Sequence, residues 1–340
     1  MISTDFSRYL TKFLGSYLPG QRNVSPNTIK SYSDTFRLFL QYCQNTAGIA
    51  PEKLTMQLFS SSLIEGYLDW LESERKYAIS SRNQRLACIH AFVRFVQTEV
   101  PENLFELQRI LGIPSKKATH ASISYLTADA MSTLLKAPDT TTKHGRRDLM
   151  ILTLLYDSGA RVQELINLSV CDVRTDKPAT ITLYGKGRKV RTVPLMNHTN
   201  DMFIGYLKEQ NLFGKNEKRN LPVFTNSRKE RLSRVGIAYI LKKYFALAKA
   251  NTEIVYPDRI SPHVLRHTKA MHMLQSNINL IYIRDFLGHV NVTTTEIYAK
   301  ADVEVKRKVL EAAYVQAEIP KQTEWIDDKS LMEWLKNLCK

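Results

Sequence analysis

The sequence predicts a mainly helical protein of two domains, with a small β-sheet in the second. Three observations carry that prediction. The 340-residue chain exceeds the size at which a single core stops growing. Its first third repeats apolar residues at helical spacing and then gives way to a polar linker. After the linker, "TITLYGKGRKVRTVPL" alternates apolar and polar residues around a Gly-Lys-Gly turn, as a β-hairpin does.

The elements follow in order. Residues 1–113 read as a helical domain. In "SPNTIKSYSDTFRLFLQYC", Ser25 is a candidate N-cap with Pro26 at the first helical position, and Ile29, Tyr32, Phe36, Phe39 and Leu40 fall on one stripe. "SSLIEGYLDWLESER" repeats the pattern with Leu63, Tyr67, Trp70 and Leu71, and "SSRNQRLACIHAFVRFVQTEV" with Leu86, Ile89, Phe92, Val93 and Val96. Residues 114–125, rich in Ser, Thr and Ala with a Lys-Lys pair, read as the linker, and residues 126–318 as the second domain. There Thr127 caps "ADAMSTLLKA", and a long apolar helix breaks at Ser158-Gly159 before another begins. The hairpin follows, and helices resume from about Arg234. Residues 319–340 form a tail in which Leu331, Trp334, Leu335 and Leu338 mark an amphipathic helix.

Composition narrows the function. The chain is 44% hydrophobic and 24% charged, as globular proteins are, and its net charge is +15. With a pI near 9.5, this excess points to a polyanion partner. No apolar run approaches the ~20 residues of a membrane span, and the N-terminus lacks the pattern of a signal peptide. A cytoplasmic protein that binds nucleic acid, and no membrane, is the expectation. Cys43, Cys88, Cys171 and Cys339 stand far apart without metal-binding spacing, and read as structural thiols. Lys30, Arg37, Arg82, Arg85 and Arg94 are expected on the polar faces of the first domain's helices. Each alone is an ordinary solvated charge; as a set they can follow a phosphate backbone.

Chemistry concentrates in the second domain. "LGHVNVTTTEIYAK" places His289 nine residues before Tyr298. A Tyr hydroxyl titrates near pH 10 and is a weak nucleophile, so taken alone Tyr298 reads as a core residue. "SPHVLRHTKA" opens a helix at Ser261 and Pro262, with His263, Arg266 and His267 at its positively polarised start, a setting for an oxyanion. "SGARVQEL" adds Arg161 after a Gly-Ala break, with Glu164 three residues on. "YGKGRK" presents Lys186 at a hairpin tip beside Arg188. No acidic cluster for Mg²⁺ and no Walker-type phosphate loop is present, so neither metal nor cofactor is expected. Fixed cations around a tyrosine suit phosphoryl transfer through a covalent enzyme intermediate.

These blocks resemble the tyrosine recombinases of the phage integrase family, which includes the Xer recombinases. "ARVQEL" is similar to the family's first arginine motif and "YGKGRKVRTVPL" to its catalytic-lysine hairpin. "SPHVLRHTKA" is similar to its His-x-x-Arg block and "LGHVNVTTTEIYAK" to its Leu-Gly-His to Tyr block. The resemblance implies a two-domain, C-shaped DNA clamp. It implies that Arg161 and Arg266 clamp the scissile phosphate, Tyr298 attacks to form a 3′-phosphotyrosine, and Lys186 protonates the leaving 5′ oxygen. It further implies that His263 transfers a proton with Tyr298, His289 binds a non-bridging oxygen, and Glu164 orients its neighbours, with His267 in support. Implied partners are double-stranded DNA with an inverted-repeat core site, further copies of the chain in a tetramer on two duplexes passing through a Holliday junction, and accessory recombination proteins. In the family the C-terminal helix is commonly exchanged between protomers. Three positions depart from the common pattern: Lys269, which can add a phosphate contact, Asn277 at a turn often held by Gly, and Lys300. A mobile-element integrase is the favoured reading. A type IB topoisomerase and a non-catalytic DNA-binding protein are the alternatives.

Overall fold

A computed structural model of the chain describes residues 4–118, 123–185, 189–214, 216–250, 254–289, 291–301 and 329–338. The chain divides into two compact units, Met1–Ala121 and Ser122–Lys340.

The first unit contains α1 (Asp5–Lys12), a π-helical run Phe13–Gln21, α2 (Pro26–Asn45), α3 (Ser61–Ser73), α4 (Ile79–Val96) and α5 (Leu104–Leu111). Ser25 caps α2, its hydroxyl accepting from the Thr28 N–H with Pro26 behind it. α4 is the central helix, packed by α2, α3 and α5. That position corrects the expected polar face. Arg82 is 5% exposed, with its Nε 3.2 Å from Glu72 and an Nη donating to the Pro114 carbonyl. Arg85 bridges to α2 through the Ser31 carbonyl and the Thr35 hydroxyl. Arg82 is an interior strut and Arg85 a half-buried one, because three helices pack around α4 and narrow its solvent face. Lys30, Arg37 and Arg94 are exposed. The first residues of the expected linker are anchored: Lys116 exchanges two hydrogen bonds with the Asn83 side chain.

The second unit begins with α6 (Ala128–Lys136), capped by Thr127, then α7 (Lys143–Asp157) and α8 (Val162–Asn167). A three-stranded antiparallel sheet follows, ordered β1 (Val173–Arg174), β2 (Thr180–Tyr184), β3 (Val190–Pro194). Its register pairs Ile181 with Val193 and Leu183 with Arg191. Paired residues share a face, so Arg191 lies on the same face as buried Ile181, Leu183 and Val193. Next come α9 (Asn197–Glu209), α10 (Arg234–Ala250), α11 (Pro262–Gln275), α12 (Leu280–Leu287) and α13 (Thr293–Ala301). α9 is a correction: helices resume at Asn197, well before Arg234. Its N-cap, Met196, makes no side-chain capping bond, so the sequence carries no start signal there. Asn277 holds the left-handed conformation expected of it, at φ 60°.

A tail helix, α14 (Lys329–Leu338), carries Trp334, Leu335 and Leu338, 60%, 37% and 62% exposed. The Leu331 side chain lies outside the described residues, as do residues 302–328. Among the described residues no helix is long and apolar enough to cross a membrane.

Candidate active site

The site forms where α8, the hairpin, α11 and the ends of α12 and α13 converge. The break between α7 and α8 has a physical role. Gly159 adopts φ +56°, and a Cβ there would lie 2.8 Å from Leu287. The tight turn aims the Gly159 carbonyl at Arg266, whose guanidinium donates to it and to the Leu287 carbonyl, both at 2.6 Å. Arg266 is 3% exposed, and no carboxylate among the described residues pairs with it. Burial, together with Arg161 and Arg191 nearby, pulls its pKa down to about 9. The guanidinium stays charged at neutral pH, yet its surroundings call for an anion.

Arg161 is the residue before α8, and its backbone N–H donates to Glu164 Oε2 at 2.8 Å. One of its Nη atoms donates to Glu164 Oε1 at 2.8 Å, and the other makes only a long 3.5 Å contact to the Gly288 carbonyl. Glu164 also takes a 2.8 Å bond from Arg191. Burial pushes the Glu164 carboxyl up, but the bonds and charges of Arg191 and Arg161 outweigh it and hold the pKa below the usual range. Glu164 thus bonds both Arg161 and Arg191. Arg191 is a third guanidinium that the sequence reading missed. The signal was present: in "VRTVP" it alternates with Thr192 and shares its side of the strand with buried Val193, an inward position unusual for arginine.

Gly288 closes α12 in the left-handed conformation, φ +65°, and a Cβ there would sit 3.1 Å from Arg191 Cδ. Glycine is therefore required twice over, by conformation and by contact. The turn delivers His289, whose Nδ1 hydrogen-bonds the buried Thr295 hydroxyl at 2.9 Å. Burial, then the charges of Arg266, Arg161 and Arg191, lower the His289 pKa to about 4.

Tyr298 is 1% exposed and packs with Met271, Leu274, Ile283 and Leu287. The bland core reading of its ring is geometrically correct, but its hydroxyl is not idle. It lies 2.9 Å from His267 Nδ1. His263, the histidine expected to exchange a proton with Tyr298, stands one helical turn earlier and is exposed, its ring 6.5 Å from that of His267. Burial, with His263 and Arg266 adding to it, lowers His267 to about 4, so its ring is neutral at pH 7. Burial raises the Tyr298 pKa, while Arg266 and Arg161 work against that rise.

Lys269 does not point to an open phosphate site. Its Nζ sits 3.7 Å from Asp157 and over the Tyr156 ring. Lys186 and Arg188 lie outside the described residues, as does the Lys300 side chain. Gly185, immediately before Lys186, abuts the site: a Cβ on it would lie 3.1 Å from Glu164 Oε1.

Among the described residues, two guanidiniums thus share one carboxylate, and a third, Arg266, is held by backbone carbonyls, beside neutral histidines and a histidine-bonded tyrosine. Such an arrangement has the charge to receive a monoanionic, tetrahedral group. Two family models match the chain: "Phage integrase family" over residues 124–304, and "Phage integrase, N-terminal SAM-like domain" over residues 10–99. A Sinorhizobium fredii protein that bears the name integrase/recombinase y4rC is 35% identical over 329 residues, covering 97% of each chain. Tyrosine recombinase XerC of Pelobacter propionicus is 30% identical over 310 residues, covering 91% of this chain and 96% of its own. Among solved structures, the Tn1549 transposon integrase in complex with transposon right-end DNA has a similar fold, with TM-score 0.66 at 17% identity over 89% of this chain and 98% of that one. XerH site-specific recombinase bound to palindromic difH substrate gives TM-score 0.65 at 19% identity over 86% and 80%. The family match spans the site and most of both units, and the chain belongs to the phage integrase family of tyrosine recombinases.

Proposed function

We propose that the protein is a site-specific DNA recombinase that cuts and rejoins strands through a 3′-phosphotyrosine on Tyr298, passing through a Holliday junction. The observation that carries this reading is the Tyr298 hydroxyl, held 2.9 Å from a neutral histidine beside Arg266 and Arg161. A phosphodiester entering the site supplies the anion that Arg266 lacks. Arg161 and Arg266 stabilise the charge of the pentavalent transition state, and His289 donates to a non-bridging oxygen. Tyr298 attacks phosphorus as its proton passes to His267, whose basicity rises once the phosphate offsets the charge of Arg266. His263, exposed at the helix start, completes the proton relay. The bond to the 5′ oxygen breaks, and Lys186 gives that oxygen its proton. The tyrosyl ester retains the energy of the broken bond, so rejoining needs no nucleotide cofactor. Because Tyr298 is 1% exposed, α13 shifts to bring its hydroxyl to the phosphate.

The partner is double-stranded DNA with an inverted-repeat core site, cut by four copies on two duplexes with accessory proteins directing the choice of site. Exposed Lys30, Arg37 and Arg94 supply phosphate contacts from the first unit, and Arg188 from the hairpin. The Tn1549 neighbour and the integrase/recombinase relative favour a mobile element as the substrate. The domains so assigned are 1–113 for DNA binding, 114–125 as linker, 126–318 for catalysis and 319–340 as the tail. The exposed Trp334, Leu335 and Leu338 stripe suits docking on a neighbouring copy.

A nicked suicide substrate, built on DNA selected by the protein from a random pool, tests the chemistry. Tyr298→Phe removes only the nucleophilic oxygen, so it should bind that DNA and form no covalent adduct. Adduct at wild-type levels would falsify the assignment. Removing residues 321–340 should leave single-site binding and adduct formation intact while reducing complexes that hold two sites in gel shifts. Undiminished pairing would exclude the tail from assembly.

A further inference from the structure

Glu164 is almost fully buried, its side chain 2% exposed, and it has two arginine partners. Arg191 reaches it from the inward face of β3 and is itself 11% exposed, whereas Arg161 is 32% exposed. The two guanidiniums thus differ in depth. Arg191 lies on the interior side of the carboxylate, and Arg161 lies where a ligand arrives. They also divide the oxygens. Oε1 takes an Arg161 Nη, while Oε2 takes Arg191 and the Arg161 backbone N–H. One Arg161 Nη is left with nothing better than a 3.5 Å contact to a carbonyl.

We infer that Arg191 is a positioning residue that keeps Arg161 free for phosphate. A buried carboxylate demands compensation, and a lone arginine meets that demand best by closing into a bidentate, fork-to-fork pair. With Arg191 supplying the second charge from behind, Glu164 orients Arg161 without consuming it. Without Arg191, Glu164 draws both Arg161 Nη atoms inward, and the outer guanidinium edge is lost to the substrate. In this reading Arg191 acts through Glu164, the carboxylate it bonds. The position is built for this, since Gly288 leaves room where any side chain would press on the Arg191 stem. The inference rests on the recombinase reading for its substrate, but its charge balance stands apart from that reading.

The experiment compares Arg191→Gln, Glu164→Gln and the double variant in the full chain, reading adduct formation on the suicide substrate and thermal melting. Arg191→Gln should slow adduct formation by roughly tenfold to a hundredfold, the scale on which supporting residues act, and should lower the melting temperature. Adding Glu164→Gln should restore much of both losses, because a neutral amide no longer captures Arg161. A residue that merely fills space would give no such rescue. The inference is overturned if Arg191→Gln reacts like wild type, or if the double variant is no better than Arg191→Gln alone. Should Arg191→Gln fail to fold, a folded double variant supports charge sharing and an unfolded one excludes it. If the wild-type chain itself forms no adduct, the recombinase reading falls, and the melting comparison alone decides the role of Arg191.

Discussion

The two units bury different things. The first is built around aromatic rings: Phe92 packs within 5.0–5.8 Å of the rings of Phe6, Phe13, Phe36 and Phe59. Its buried polar residues are Thr35, Ser61 and Arg82, among those described. The second unit buries Asp148, Thr153, Ser158, Glu164, Thr199, Asn200, Arg266, Thr268 and Thr295. The contrast suits the function proposed for each unit. A surface that contacts DNA phosphates needs exposed cations over a rigid body, so its interior can be apolar. A site that stabilises a transition state needs cations withdrawn from water, where their fields are strongest, and the interior must then satisfy them with carbonyls and carboxylates.

Three measurements break or sharpen that contrast. The largest effect is expected at Arg266. Arg266→Ala should cut the rate of adduct formation by about 10²–10³, the cost of losing one fixed transition-state donor. It also strands the Gly159 and Leu287 carbonyls, so the second unit should lose stability. An Arg266→Ala protein with full cleavage activity would show that burial of charge serves the fold alone.

Next is Phe92→Ala in the first unit, which should cost about 3–5 kcal/mol of that unit's stability. In calorimetry of the full chain the transition of the first unit should fall and that of the second stay. If both fall together, the units unfold as one body and the contrast between their cores is only descriptive.

The smallest effect is the pH dependence. His267 and His289 are lowered to about 4 in the folded state, against 6.5 for an ordinary histidine. Between those values the unfolded chain binds more protons, so stability rises with pH there and is lost on acidification. The second unit should therefore melt at lower temperature as the pH falls from 6.5 towards 4, and His267→Gln should flatten the dependence. In the first unit burial lowers His90 alone among the described histidines, so its transition should move less. A flat melting temperature for the second unit across this window would rule out buried neutral histidines as a source of its stability.

Much of the chain was legible without a structure, because many signals are local. Ser25 and Thr127 announce helix starts through their own hydroxyls, and Ser158-Gly159 announces a break. The Gly-Lys-Gly turn announces a hairpin, and Asn277 a left-handed residue. Each depends on a few neighbouring residues, so each survives in one dimension. Four motif blocks, read together, also pointed to the family.

Other features were decided only in three dimensions. Which side of α4 meets solvent depends on three helices around it, and so Arg82 turned out to be interior and Arg85 half-buried. α9 starts without a capping side chain, and its helix is held by packing against α7 rather than by local propensity. The Tyr298 hydroxyl meets His267 through the packing of α13 on α11, which spacing along the chain does not encode. Arg191 belongs to the site for the same kind of reason. A strand pairing gives it an inward direction, and only the fold supplies the carboxylate it meets there.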